Sequence, residues 1–252
     1  NAIPQLYPVP NYCGNAYTVY TNRSTAGAMR GYGMPQATWA HECHMEDICH
    51  RLGLDSLQFR REHLMPVGYV DDFTKNVKYH DSHNQCLDKA IAYMDYERKH
   101  REYGNQTGPI RRGIGMAIFW YNTAVWPISL ESSSCRMVLN QDGSIQVQTG
   151  ETEIGQGCDT AYAQMAADAV GIPVEDVHMV STQDTDVTPF GLGAYASRQT
   201  YIGGFSIAQT GALLKERILK YATELTRQAT CLLDLVDGKI VRISDGRVLM
   251  TL

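Results

Sequence analysis

An α+β fold is what this sequence predicts. Asp142-Gly143 and Asp245-Gly246 each sit between two short stretches of alternating apolar residues, the signature of hairpins. Several longer windows carry helical periodicity with capping residues at their ends. No internal repeat or low-complexity tract orders these elements, so mixed sheets packed on helices are expected rather than a regular array.

Taken in order, residues 16–22, "AYTVYTN", alternate as a strand does. Residues 37–54 read as a helix ended at Gly53, and Asp55 is an N-cap for a second helix that stops before Pro66. Residues 67–82 turn polar and lose periodicity, which makes them a candidate lobe boundary, and residues 84–104 resume as one charged amphipathic helix. Strands are expected over 111–122 and in a hairpin over 133–150, followed by a helix over 157–171 closed by Gly171. A strand over 175–183, a long helix over 200–228 and a terminal hairpin over 238–252 complete the reading. That hairpin reaches its second strand at Leu252, and the chain opens on Asn1, so it reads as a piece of a longer polypeptide.

Composition narrows the function classes. A net charge of -5 leaves no basic stripe for a nucleic-acid backbone, and no apolar window reaches the roughly 18 residues of a membrane span. The 7 cysteines are dispersed without a C-x-x-C pair, which argues against an iron–sulfur site in this chain and fits a reducing cytoplasm. In "HECHMEDICH" the residues His41, Cys43, His44, Glu46 and His50 lie close in sequence, but without an H-E-x-x-H pattern and on several helix faces, so no metal is expected there.

Three segments carry the chemistry. In "AMRGYGMPQ", residues 28–36, Gly31 and Gly33 flank Tyr32 and can fix it and Arg30 against a ligand; an ordinary turn with a surface tyrosine is the alternative. In "GETEIGQGCDTAYAQMAADAVG", residues 150–171, Gly155-Gln156-Gly157 opens a helix whose N–H groups and dipole suit a phosphate, while Gln156 offers an amide to a heterocycle edge. It is neither a dinucleotide fingerprint nor a P-loop, because the G-x-G-x-x-G spacing and the lysine are missing. The third, residues 181–204, is a long polar link in which Ser197, Arg198, Gln199 and Thr200 precede a helix.

Together and in this order, "AMRGYGMPQ", "TEIGQGCDTAYAQMAADAVGIP" and "GLGAYASRQTYIGG" resemble the molybdenum-binding subunit of the xanthine dehydrogenase and aldehyde oxidase family, the molybdenum hydroxylases. The resemblance runs from about Tyr7 to Asp237. It implies a two-lobed molybdopterin-binding α+β domain, with residues 1–80 ending the first lobe and 81–252 forming a second lobe truncated at its C-terminus. It implies Arg30 and Tyr32 at the substrate, the Tyr32 ring stacking on it, with Met116 as the nearest counterpart of a second aromatic wall and Phe119 and Trp120 close by. Cofactor contacts fall on Arg30, Gly31, Gly155, Gln156, Gly157, Tyr195, Ala196, Ser197, Arg198 and Gln199. The family's essential glutamate belongs to a late glycine-rich motif with no match in this chain, so no catalytic residue is assigned. Gly31-Tyr32 argues against the carbon monoxide dehydrogenase branch, which carries a cysteine there.

The function so implied is that of a xanthine dehydrogenase-like, molybdenum-dependent oxidoreductase that hydroxylates a purine-like heterocycle with water-derived oxygen. Its cofactor is a molybdopterin-type molybdenum cofactor, with the cytosine dinucleotide form as an alternative, and FAD and 2Fe-2S centres lie on partner subunits or segments of a higher oligomer in the cytoplasm. An aldehyde or nicotinate-type hydroxylase and a noncatalytic pterin-binding or assembly module are the other readings.

Overall fold

The computed structural model describes residues 6–27, 29–72, 75, 77–121, 123–125, 129–180 and 184–252. The chain divides into two compact units, Asn1–Tyr121 and Asn122–Leu252. Ala28 of the first motif and residues 181–183 of the third lie outside the described residues.

In the N-terminal unit, helix α1 (Met34–Leu52) starts after Gly33 with Pro35 in its first turn and ends at Gly53, whose left-handed conformation lets its N–H cap the carbonyls of Cys49 and His50. Helix α2 (Ser56–His63) begins where the Asp55 carboxylate accepts the Gln58 N–H at 2.7 Å. The two helices are tied by Arg60, which is fully buried and donates to the Glu42 carboxylate at 3.0 Å, to Glu46 at 2.9 Å and to the Ser56 carbonyl at 3.1 Å. Glu42 also accepts from the Tyr7 hydroxyl at 2.7 Å and from the Ile118 N–H at 3.0 Å. Burial, and then Glu42, push the Tyr7 phenol well above its ordinary range. A core of Leu6, Tyr7, Met45, Leu64, Leu87 and Ile118 surrounds this ion pair.

Two expectations fail in this unit, and a third is modified. Residues 16–22 form no ladder among the described residues, because Tyr17 and Val19 on one side of the alternation and Ala16, Thr18 and Tyr20 on the other are all exposed. Period-2 alternation favours a strand only where one face is buried. Residues 111–121 do bury one face, with Ile118 in the core and Met116 and Trp120 packed against it, but they pair with no strand among the described residues; Asn122 lies outside the described residues. The single helix expected over 84–104 is two, α3 (Ser82–Met94) and α4 (Tyr96–Gly104), because Asp95 takes a left-handed conformation that ends one helix and starts the next.

The C-terminal unit opens with the expected hairpin. Strands β1 (Cys135–Leu139) and β2 (Ile145–Thr149) are antiparallel, with Leu139 opposite Ile145, and Asp142 closes the turn by accepting from the N–H and hydroxyl of Ser144. Helix α5 (Cys158–Val170) crosses over to β3 (Val177–Met179), which lies parallel to β2. A π-helical turn (Gln199–Gly203) then leads into α6 (Gly204–Thr226). A second sheet consists of β4 (Leu233–Val236), which the alternation analysis missed, β5 (Lys239–Arg242) and β6 (Val248–Thr251). Ile145, Val147, Tyr162, Val170, Ile207 and Leu235 are wholly buried in one core shared by both sheets and both helices. Gly211 permits the close contact of α6 with α5, since a Cβ there would stand 2.6 Å from that of Ala169.

Candidate functional site

The first motif builds an unusual turn. Gly31, Tyr32 and Gly33 follow one another at φ +97°, +48° and +83°, and the Tyr32 and Met34 N–H groups donate to the carbonyls of Met29 and Gly31, each at 2.9 Å. Gly31 is required twice over, since a Cβ there would also meet Pro35 Cδ at 2.8 Å. Tyr32 is held in a conformation that costs a non-glycine residue about 1 to 2 kcal/mol, and its side chain is 79% exposed. A ring kept in a strained conformation and in solvent contributes nothing to the core, which is the physical pattern of a residue presented to something else. Arg30 is exposed beside it. Met116 instead lines a cleft of about 530 Å³ against α3, together with His83, Cys86 and Phe119. Phe119 and Trp120 also line a small cavity together with Met34 and Thr38 of the first turns of α1.

The second and third motifs meet in the C-terminal unit. Behind β2 the chain passes Gly150, whose missing side chain admits the backbone of residues 189–191; a Cβ there would lie 2.2 Å from Gly191 N. Gly155 and Gly157 follow at φ +95° and +85°, and nothing lies within 4 Å of where their Cβ atoms would stand. The expected phosphate donors at this turn are nevertheless engaged. Glu153 accepts the N–H groups of Gly155 at 2.7 Å, Gly157 at 3.1 Å and Asp159 at 3.1 Å. The Gly157 and Asp159 bonds, with that of Gly155, hold its carboxyl down at about 2. Glu153 is therefore the resident anion of the α5 N-terminus, a role that its position four residues before Gly157 hid from a motif reading.

Gln156 is also spoken for. Its amide oxygen accepts the Ile154 N–H at 2.7 Å, and its nitrogen donates to the Thr152 carbonyl at 2.9 Å and to the Gln199 amide oxygen. Gln199, itself buried, donates to the same Thr152 carbonyl at 2.7 Å. The two glutamines lock the second motif to the third.

Arg198 departs furthest from its expected role. Its side chain is fully buried, and the guanidinium donates to Glu131 at 2.7 Å, to both oxygens of Glu151 at 2.8 and 2.7 Å, and to the carbonyls of Gly193 and Ser132. Burial opposes its charge, but the bonds to Glu131 and Glu151 prevail and raise its pKa. A guanidinium so saturated holds the fold and offers nothing to a phosphate. Gly203 permits this arrangement, since a Cβ there would meet Tyr162 Oη at 2.4 Å and Glu151 Cγ at 3.0 Å. The residues left facing outward are Tyr195 and Ser197, with half-buried Ala196 between them, and Ala196 and Ser197 stand at φ +51° and +52°.

Among the described residues, Glu153, Cys158 and Asp159 bring potential metal-ligating atoms within 4.8 Å of one another. Burial, and then Glu153, push the Cys158 thiol up to about 12, and the Glu153 carboxylate is already occupied by N–H groups, so neither is prepared as a ligand. The open glycine faces at 155 and 157 and the exposed 195–197 loop fit the approach of a flat polar group such as a pterin. A phosphate is not met by the engaged N–H groups or by Arg198. Among the described residues, no helix is long and apolar enough to cross a membrane.

Two family models, both described as a molybdopterin cofactor-binding domain, match residues 1–64 and 89–250. The putative xanthine dehydrogenase molybdenum-binding subunit XdhA of Escherichia coli (strain K12) is 42% identical over 243 residues, covering 96% of this chain and 32% of the relative. The probable hypoxanthine oxidase XdhD of the same organism is 27% identical, covering 96% of this chain and 26% of the relative. The chain thus spans between about a quarter and a third of the length of these two curated relatives. In fold it resembles the reconstituted CO dehydrogenase from Oligotropha carboxidovorans, with a TM-score of 0.69 at 22% identity over 89% of this chain and 30% of that one. Quinoline 2-oxidoreductase from Pseudomonas putida 86 gives 0.65 at 25% identity over 86% and 29%. The chain belongs to the molybdopterin cofactor-binding domain family, in keeping with its resemblance to the molybdenum-binding subunit of the xanthine dehydrogenase and aldehyde oxidase family.

Proposed function

We propose that this chain is part of a molybdenum hydroxylase large subunit whose whole protein hydroxylates a purine-like heterocycle, xanthine or hypoxanthine. The observation that carries the reading is Tyr32, 79% exposed and kept in a left-handed turn between Gly31 and Gly33, a geometry suited to stacking on a flat ring. The 42% identity to a relative named as a xanthine dehydrogenase subunit supports the substrate class. The cofactor, when bound, supplies the oxygen insertion and receives the substrate's electrons.

In this reading Arg30 and Tyr32 orient the substrate, with Met116 as the counterpart of a second wall. The open backbone at Gly155 and Gly157 and the loop Tyr195, Ala196 and Ser197 receive the pterin, while Gln156 and Gln199 hold these segments in register. The lobe boundary of this reading, with residues 1–80 ending one lobe and 81–252 forming a second, falls inside the compact N-terminal unit, whose core takes in Leu87 and Ile118. No catalytic base is assigned among these residues. Electrons pass to iron–sulfur and FAD centres on partner subunits of a cytoplasmic oligomer, and the cofactor carries either the plain or the cytosine dinucleotide form.

The whole protein tests this directly. Elemental analysis should find molybdenum, and xanthine or hypoxanthine should turn over faster than aldehydes or nicotinate. Tyr32→Ala should keep its molybdenum but lose turnover: about 2- to 13-fold if only the stacking contact of roughly 0.5 to 1.5 kcal/mol is lost, and on the order of a hundredfold if the reacting carbon is also displaced. Tyr32→Phe should be mild. Preferential turnover of aldehydes, or Tyr32→Ala kinetics equal to wild type with metal intact, would overturn the purine reading.

A further inference from the structure

We infer that Arg198 is a positioning residue that keeps the exposed 195–197 loop in its left-handed conformation and in register with the Gly155–Gly157 turn. It is not an anion ligand. The inference rests on the proposed cofactor reading of these two segments and alters the part that Arg198 plays in it.

Charge is the first argument. Two carboxylates, Glu131 and Glu151, face one guanidinium, and the side chains of Arg198 and Glu151 are wholly buried. The cluster as a whole is acidic and would repel a phosphate. Its bonds reach the chain at well-separated points: Glu131 and the Ser132 carbonyl before β1, Glu151 after β2, and Gly193 within the loop itself. The guanidinium carbon also lies 5.6 Å from the centre of the Tyr195 ring. Arg198 is therefore a hub that joins the loop to the exit of β2.

The loop needs such a hub. Ala196 and Ser197 are consecutive non-glycine residues at φ +51° and +52°, and each disfavours the ordered form by roughly tenfold relative to an unstrained residue. Two backbone bonds support them, a distant one from the Ala124 N–H to the Ala196 carbonyl at 2.7 Å and a local one from the Arg198 N–H to the Tyr195 carbonyl at 3.2 Å. The saturated guanidinium adds side-chain anchors to Glu131 before β1 and Glu151 after β2, which those two bonds do not reach, and Gln199 extends them to Thr152 and Gln156. A loop held this way keeps Tyr195, Ala196 and Ser197 preorganised before any ligand arrives.

The decisive variant is Arg198→Lys, which keeps the positive charge but cannot make the forked bonds to Glu131, Glu151 and two carbonyls. The whole protein is compared in cofactor-free and loaded forms, with chymotryptic cleavage after Tyr195 and molybdenum content as the readouts. Arg198→Lys should raise cleavage of the cofactor-free protein about tenfold and lower molybdenum content. Ala196→Gly added to it should restore slow cleavage and metal content, because glycine adopts the left-handed conformation without strain. An anion ligand predicts the reverse: Lys would keep the metal, cleavage without cofactor would not change, and glycine at 196 would rescue nothing. Either wild-type cleavage in Arg198→Lys or failure of the Ala196→Gly rescue overturns the proposal. Should Arg198→Lys not fold, Glu131→Gln carries the same comparison, since it removes one anchor and leaves the arginine in place. Wild-type protein without molybdenum would count against the cofactor reading alone, because the cleavage measurement reads the positioning role by itself.

Discussion

Replacing Gly31 by alanine separates the conformational and steric demands of the turn that presents Tyr32. The new residue would have to hold φ +97°, which costs an L-residue about 1 to 2 kcal/mol. Its Cβ would also stand 2.8 Å from Cδ and 3.0 Å from Cγ of Pro35. Neither atom belongs to a flexible side-chain end, because the proline ring is fixed in the first turn of α1, so the helix start must move. Overpacking of this kind costs about 1 to 3 kcal/mol, for a total of about 2 to 5 kcal/mol. Gly33→Ala is the matched control: it faces a similar φ of +83°, but nothing lies within 4 Å of its Cβ position, so only the conformational cost applies. At about 4 °C per kcal/mol for a unit of this size, Gly31→Ala should lower the unfolding temperature by about 8 to 20 °C and Gly33→Ala by about 4 to 8 °C. Thermal unfolding followed by circular dichroism on the whole protein measures both. If Gly31→Ala proves no worse than Gly33→Ala, the Pro35 contact does not constrain the turn and the argument that Tyr32 is rigidly presented fails.

Arg60→Met should destabilise the N-terminal unit by about 3 to 5 kcal/mol, because it leaves Glu42 buried without its cation; a urea unfolding shift worth less than 1 kcal/mol would show that the ion pair is dispensable. Glu153→Gln should lower thermal stability at pH 7 by weakening the bonds to Gly155, Gly157 and Asp159. Because the folded carboxyl sits at about 2 against an ordinary 4.5, the unfolded chain takes the proton first as pH falls. The advantage of wild type over Glu153→Gln should thus be complete above pH 4.5 and shrink progressively towards pH 2. A gap that stays constant from pH 7 to pH 3 would mean that the Glu153 charge is not what caps α5.

What the sequence by itself determined lies within a few residues of each signal. Asp55 capping Gln58, Gly53 and Gly171 closing α1 and α5, and the Asp142-Gly143 hairpin are all settled by bonds between near neighbours, so local composition is enough. The three glycine-rich segments were legible for the same reason, since their turns need positive φ wherever they occur. Strand pairing was not, because a ladder needs a partner from elsewhere: residues 16–22 alternate without burying a face, and 111–121 bury a face without finding a strand among the described residues. The use made of polar side chains was equally hidden. Arg198 meets Glu131 and Glu151 across 67 and 47 positions, and Arg60 meets Glu42 across 18, so the residue type that suggested an anion ligand became an internal anchor only on folding. Glu153 and Gln156 turned inward on their own turn because a loop's N–H groups and amides must be satisfied in the folded chain itself. Motif order thus identified the family, and the tertiary structure alone decided which motif residues form the frame and which remain open to a ligand.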